Sequence, residues 1–257
     1  ELGGLDVNAT TAGSGDITFS SNIGKTAGGG AAGVIGTTAI GTTSTDKITF
    51  AGTIYHFDSP SSTTTITASA DVSGDDENIE VTNTSGATFK ATGEAITFAG
   101  GKLDLADGAN LSIDSQNGAI SVSGVAGHSD ETVTIDAGTS SVALGAVGDS
   151  GSTQIHNLTV TGDGGITLSG NIYTSADSSS AGDVTFNDKV IIDGAASIDT
   201  DDTGNTTNTD GKIIFTTSIQ SETNGTDSLT LTSGAGTITL VEVGGSSKPL
   251  TSFVATS

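Results

Sequence analysis

Asp199, Asp201, Gly204 and Asp210 in the run "DTDDTGNTTNTD" fall at positions 1, 3, 6 and 12 of a twelve-residue calcium loop. Calcium is a hard cation that takes carboxylate and carbonyl oxygens, and the glycine permits the sharp turn that wraps them around it. Thr203 stands where Asp or Asn is usual, and Asp210 stands where Glu is usual. Asp199, Asp201 and Asp210 are thus candidate metal ligands, and calcium is the cation that they would suit. The competing reading is a solvated acidic loop, common in a chain with 30 acidic residues against 7 basic ones. "GDDEN", Gly74 to Asn78, is a second acidic turn of the same kind.

Other groupings carry less chemistry. His56, His128 and His156 are scattered, with no HExxH spacing. "HSDE", His128 to Glu131, sets a His, a Ser and an Asp side by side, but adjacency in sequence is not triad geometry. "GKT", Gly24 to Thr26, imitates the end of a phosphate loop, yet Phe19 stands where its first Gly belongs. Polysaccharide lyases and hydrolases on β-helices use clustered carboxylates, often with Lys or Arg to stabilise the transition state. Here Asp is spread through the turns and Arg is absent, so the expectation is a protein that is not an enzyme. A carboxylate pair in a groove beside a Lys, together with glycan cleavage, would reverse it.

The elements that hold these residues follow from a repeat. Apolar residues fall at Leu111, Ile113, Ile120, Val122 and Val125, and again at Val133, Ile135, Val142, Leu144 and Val147. Leu229, Leu231, Ile238, Leu240 and Val243 keep the same offsets; the sets beginning at Leu158 and Leu5 vary them slightly. Steps of two are strand alternation, one side chain inward and the next outward. Thr and Ser fill outward positions, while Gly, Asn and Asp fill the breaks, where turns need their conformational freedom. A central apolar cassette recurs at Ile17, Ile48, Ile96, Ile120, Val142, Ile166, Val184, Ile213 and Ile238. The long interval from Ile48 to Ile96 hides a further turn carried by Ile79, Val81, Ala87 and Phe89.

This spacing predicts an all-β fold: a parallel β-helix, or β-solenoid, of about ten coils, each of two or three short strands. At ~4.8 Å per coil the stack spans about 48 Å. Five buried apolar side chains per coil, at roughly 1.5–3 kcal/mol each, offset chain entropy only when coils stack. The rival fold is an antiparallel β-sandwich. "TTTIT", Thr63 to Thr67, raises ice or glycan recognition by threonine rows, but outward positions mix Thr, Ser, Asp, Glu and Lys, as β-propensity alone would give.

Composition narrows the function class. A net charge of −23 argues against nucleic acid or anionic membrane as a partner. No apolar run reaches the ~18 residues of a membrane span. There is no Cys, which removes disulfides and thiolate metal sites. "PLTSFVATS" at the end resembles "ELGGLDVNA" at the start, with Phe253 against Leu5. That match, with no capping helix at either end, suggests that residues 1–257 form a single solenoid segment. It is expected to be one unit of a longer tandem array or of an end-to-end fibre.

The phrases "GDITFSSNI", "LTVTGDGGITLSGNI" and "LTLTSGAGTITL" resemble the β-strand-repeat regions of giant bacterial extracellular adhesins and filamentous-haemagglutinin-like surface fibres. The resemblance implies a right-handed parallel β-helix and a role in display, adhesion or biofilm scaffolding, with no catalytic residue carried over. The expected function is a stiff extracellular spacer or scaffold on a bacterial surface. Its expected partners are copies of itself or neighbouring repeats of the same polypeptide. The alternatives are a module binding surface glycans or calcium and, third, a polysaccharide-active enzyme.

Overall fold

A computed structural model describes residues 4–8, 15–24, 36–57, 63–69, 78–151, 153–175, 182–201, 210–245 and 248–257. The described residues form twenty-six short strands and no helix, and every strand-to-strand pairing is parallel. The chain winds as a β-solenoid with three faces. Face 1 is a sheet of eight strands, from Ile54–His56 to Ile238–Thr239. Faces 2 and 3 form one eighteen-stranded sheet, because Ile120–Ala126 and Ser141–Val147 run across the corner between them. Each of these two faces is ten rungs deep, face 2 from Leu5–Val7 to Glu242–Val243 and face 3 from Asp16–Phe19 to Ser252–Thr256. The expected ten coils are therefore eight complete three-sided turns and two partial N-terminal windings.

The apolar columns are continuous. On face 2, Ile96, Ile120, Val142, Ile166, Val190, Ile219 and Val243 sit one above the next in register. In the turn built on Val133, the residues Val133, Ile135, Val142, Leu144 and Val147 are all essentially inaccessible to solvent. Axial backbone hydrogen bonds fix the rung spacing, and side-chain alternation sends every second residue into the column. The hidden turn between Ile48 and Ile96 is present, with Ile79 paired to Ile48 and Ala87 to Leu111.

The face assignment differs from the sequence expectation. Val184, Ile213 and Ile238 stack on Leu158 in face 1, not on Ile166. Ile17 and Ile48 stand in face 3, and Leu229 pairs with Ala196 and Phe253 there. All three faces demand the same apolar alternation, so the cassette does not say which face it occupies. Corner length decides that: three residues separate Phe186 on face 1 from Val190 on face 2. The Phe253 to Leu5 match likewise joins unlike faces, since Leu5 lies on face 2 and Phe253 on face 3.

Two further devices lock the stack. Corner Asn and Asp side chains accept backbone N–H groups of the following coil: Asn110 from Thr132 (2.7 Å), Asn157 from Asp183 (2.8 Å), and Asp183 in turn from Lys212 (2.8 Å). Asn22 accepts from both Thr53 and Ile54. Inside, an aromatic cluster joins faces: Phe89 meets Phe50 and Phe98 edge-on and stacks on Tyr55, with ring centroids 4.9–5.0 Å apart. Close corners need glycine. Gly100 has φ +91°, and a Cβ there would lie 1.9 Å from the carbonyl oxygen of Ala68 in the preceding coil.

Candidate functional site

The corner from face 3 to face 1 concentrates the titratable groups. It is built from Thr82–Gly86, Ala106–Asn110 and Gly127–Glu131 of three successive coils. A cleft of about 290 Å³ beside it is lined by Glu80, Asp104, Asp107 and His128, with Val81, Thr82 and Ala106 between them. Glu80 and Asp104 are register partners on adjacent rungs of face 3. Lys47 forms an ion pair with Glu80. The outward carboxylate pair beside a lysine, absent from the sequence reading, is therefore present.

Asp107, Asp130 and Glu131 bring their carboxylate oxygens within 4.8 Å of one another, the one acidic group of that kind among the described residues. Glu131 is fully buried. Its Oε2 accepts the His128 N–H at 2.6 Å and its Oε1 the Gly108 N–H at 3.2 Å; Asp130 Oδ1 accepts that same Gly108 N–H at 2.9 Å. His128 Nδ1 lies 2.8 Å from the carbonyl oxygen of Leu105, which assigns it the donor role. The "HSDE" run thus makes a corner clasp, with the imidazole engaged by the Leu105 carbonyl and the Glu131 carboxylate by two backbone N–H groups.

Burial pushes the Glu131 carboxyl above its usual range, and the neighbouring Asp130 adds to the rise against opposing backbone donors. A raised carboxyl favours folding below its unfolded pKa and loses that contribution as pH rises through the folded value. Raising the pH therefore weakens the clasp. Glu131→Gln removes this titration but sets an amide NH2 against one of the two backbone N–H groups, so the parent's Tm relative to the variant's should fall between pH 4 and pH 7. A pair of thermal melts at the two pH values checks this.

Asp227 shows the opposite balance. Burial raises its pKa, but hydrogen bonds from Ser221, the Gly194 and Thr223 N–H groups and Thr226 outweigh that and hold it at about 2. A depressed carboxyl contributes stability above its unfolded pKa of 3.8 and loses it as pH falls through about 2. Asp227→Asn is expected to cost about 2 kcal/mol at pH 7, from the free-energy equivalent of the shift. Urea titrations should show the gap shrinking between pH 4 and pH 2.

The calcium candidates are only partly brought together. Asp199 ends the strand Ala195–Asp199 and accepts the Asp201 N–H at 3.0 Å. Asp210 Oδ2 accepts the Ala235 N–H at 2.6 Å. The carboxylates of Asp201 and Asp210 converge beside Gly234, while Asp199 turns to its own backbone. Residues 202–209, including Thr203 and Gly204 of the run, lie outside the described residues. So do Gly74 to Glu77 of the second acidic turn and Lys25 and Thr26 of "GKT".

Across the acidic corner, face 1 carries a groove of about 590 Å³. The threonine and serine positions there were legible as outward residues, but their alignment was not. Thr88, Ser112, Thr134, Thr159, Thr185 and Thr239 form one outward column, interrupted only by Ile214. Other outward columns are mixed, as the sequence predicts: Thr49, Glu80 and Asp104 follow one another on face 3. The Lys90, Asp114 and Asp136 carboxylates and ammonium occupy a separate column two residues along.

Compared with known proteins, the chain matches no family model, no curated protein and no solved structure.

Proposed function

We propose that this solenoid is a non-enzymatic structural segment of an extracellular bacterial surface fibre or adhesin, acting as a stiff spacer. The observation that carries this reading is the apolar column running unbroken through the stacked rungs, tied at the corners by coil-to-coil hydrogen bonds. Bending such a rod requires breaking parallel ladders on at least one face, so stiffness follows from the backbone. The terminal rungs support homotypic partners. Leu5, Val7 and Phe19 at one end, and Val243, Leu250 and Phe253 at the other, are only partly buried. Neighbouring repeats of the polypeptide or copies of the chain would cover them. Placement at the bacterial surface rests on the resemblance of the repeat phrases. Electron micrographs of the native material should show straight fibres of uniform width; isolated globular particles would contradict the proposal.

One observation favours a second reading. Glu80 and Asp104, with Lys47 at hand, have the residue types of a polysaccharide-cleaving pair. Incubation with neutral and acidic polysaccharides, assayed for new reducing ends, tests it. Release that Glu80→Gln abolishes would replace the spacer reading with an enzyme.

A further inference from the structure

The groove on face 1 differs in chemistry from the rest of the molecule. Its lining runs from Thr53 and Ile54 through Ser85–Thr88 and Asn110–Ser112 to Thr132 and Thr134, without one charged side chain, in a chain of net charge −23. Its lining is rich in hydroxyls: Thr88, Ser112 and Thr134 follow one another at rung spacing, and Thr132 lines it as well. Among the described residues these four hydroxyls make no side-chain hydrogen bond, whereas the Asn110 side-chain oxygen is committed to the Thr132 N–H. Ile54 contributes a partly exposed apolar surface. Position 86 must be small where two coils meet beside the groove: Gly86 has φ +83°, and a Cβ there would lie 2.4 Å from the Asn110 carbonyl oxygen.

We infer that this groove binds a strand of neutral polysaccharide lying along the solenoid axis. A sugar chain is uncharged, presents hydroxyls at its rim and apolar C–H faces to its sides, and repeats along its length. The groove offers the complement: evenly spaced hydroxyls on successive coils, a small apolar floor, and no carboxylate to repel or ammonium to attract a charged polymer. An anionic polymer would meet the surrounding acidic surface without a compensating cation in the groove. A peptide strand would be bound through its backbone at a sheet edge, and this groove lies on a sheet face. The inference stands apart from the fibre reading; its failure leaves the rod intact.

Electrophoresis of the whole chain in native gels cast with soluble dextran, laminarin or hydroxyethyl cellulose, and with alginate as the anionic comparison, tests it. At least one neutral polymer should retard the protein, and alginate should not. Ser112→Asp and Thr134→Asp place a charge at the groove without entering the core, and each should lose the retardation. Thr167→Asp, on face 2, should keep it. Circular dichroism establishes that the variants are folded, and Thr134→Gln supplies the same test if either aspartate variant is not. Absence of retardation by all three neutral polymers would overturn the inference. So would equal retardation of parent and groove variants, or retardation by alginate as strong as by any neutral polymer.

Discussion

Ile166→Asp is expected to destroy the central part of the solenoid. Ile166 is fully buried, paired to Val142 on one side and Val190 on the other. A carboxylate there has no polar partner in the column, and burying it uncompensated costs more than about 4 kcal/mol. In a stacked repeat each rung supports only its neighbours, so the damage should spread from that point. Amide exchange should show protection lost first at Val142–Leu144, Ile166–Leu168 and Val190–Ile192. Thr167→Asp changes the adjacent outward residue and should shift stability by no more than about 0.5 kcal/mol. Equal effects of the two substitutions would mean that inside and outside are wrongly assigned.

Phe89→Ala should be the costliest truncation of an aromatic side chain. Phe89 is fully buried and touches Phe50, Tyr55 and Phe98 at once, so it ties face 1 to the rings of the other faces. Removing a buried phenyl ring costs about 3–5 kcal/mol through lost transfer energy and the cavity left behind. Phe89→Leu refills most of the volume and should cost less than about 1.5 kcal/mol. The chain has 2 Tyr and no Trp, so near-ultraviolet circular dichroism reports chiefly on tyrosine order. Tyr55 stacks on Phe89 at 18°, and its hydroxyl oxygen accepts the Gly52 N–H at 2.6 Å. Burial holds this phenol above its ordinary pKa against that backbone donor. Phe89→Ala should therefore weaken the tyrosine signal and bring the phenol titration down toward the usual range.

The stacking was readable in the sequence where corners keep one length. Leu111 to Val133 and Ile120 to Val142 are each one turn, and both pairs are in register. It was not readable where corner lengths change, because inward positions of all three faces ask for the same Ile, Val, Leu or Phe. That ambiguity had a functional consequence. Merging faces blended the hydroxyl column of face 1 with the acidic positions of face 3, such as Glu80 and Asp104, and hid both. The Asp107–Asp130–Glu131 clasp escaped for a related reason: its members come from consecutive corners and meet only once the coils are stacked. The signal was present as acids recurring after about one turn in otherwise Gly- and Asn-rich breaks. The Asp199, Asp201 and Asp210 spacing was explicit in sequence, yet a linear loop pattern does not dictate the convergence of three side chains at a solenoid corner.

The central claim is that successive windings form one continuous stack. Thr88 and Thr239 belong to the same outward column of face 1, six rung steps apart. The chain has no cysteine, so Thr88→Cys with Thr239→Cys creates a unique pair for spin labels. Pulsed electron paramagnetic resonance should give a single narrow distance distribution near 29 Å, from ~4.8 Å per rung and the reach of the labels. A broad distribution, or a maximum beyond about 45 Å, as separate modules on a flexible chain would give, would contradict the stack.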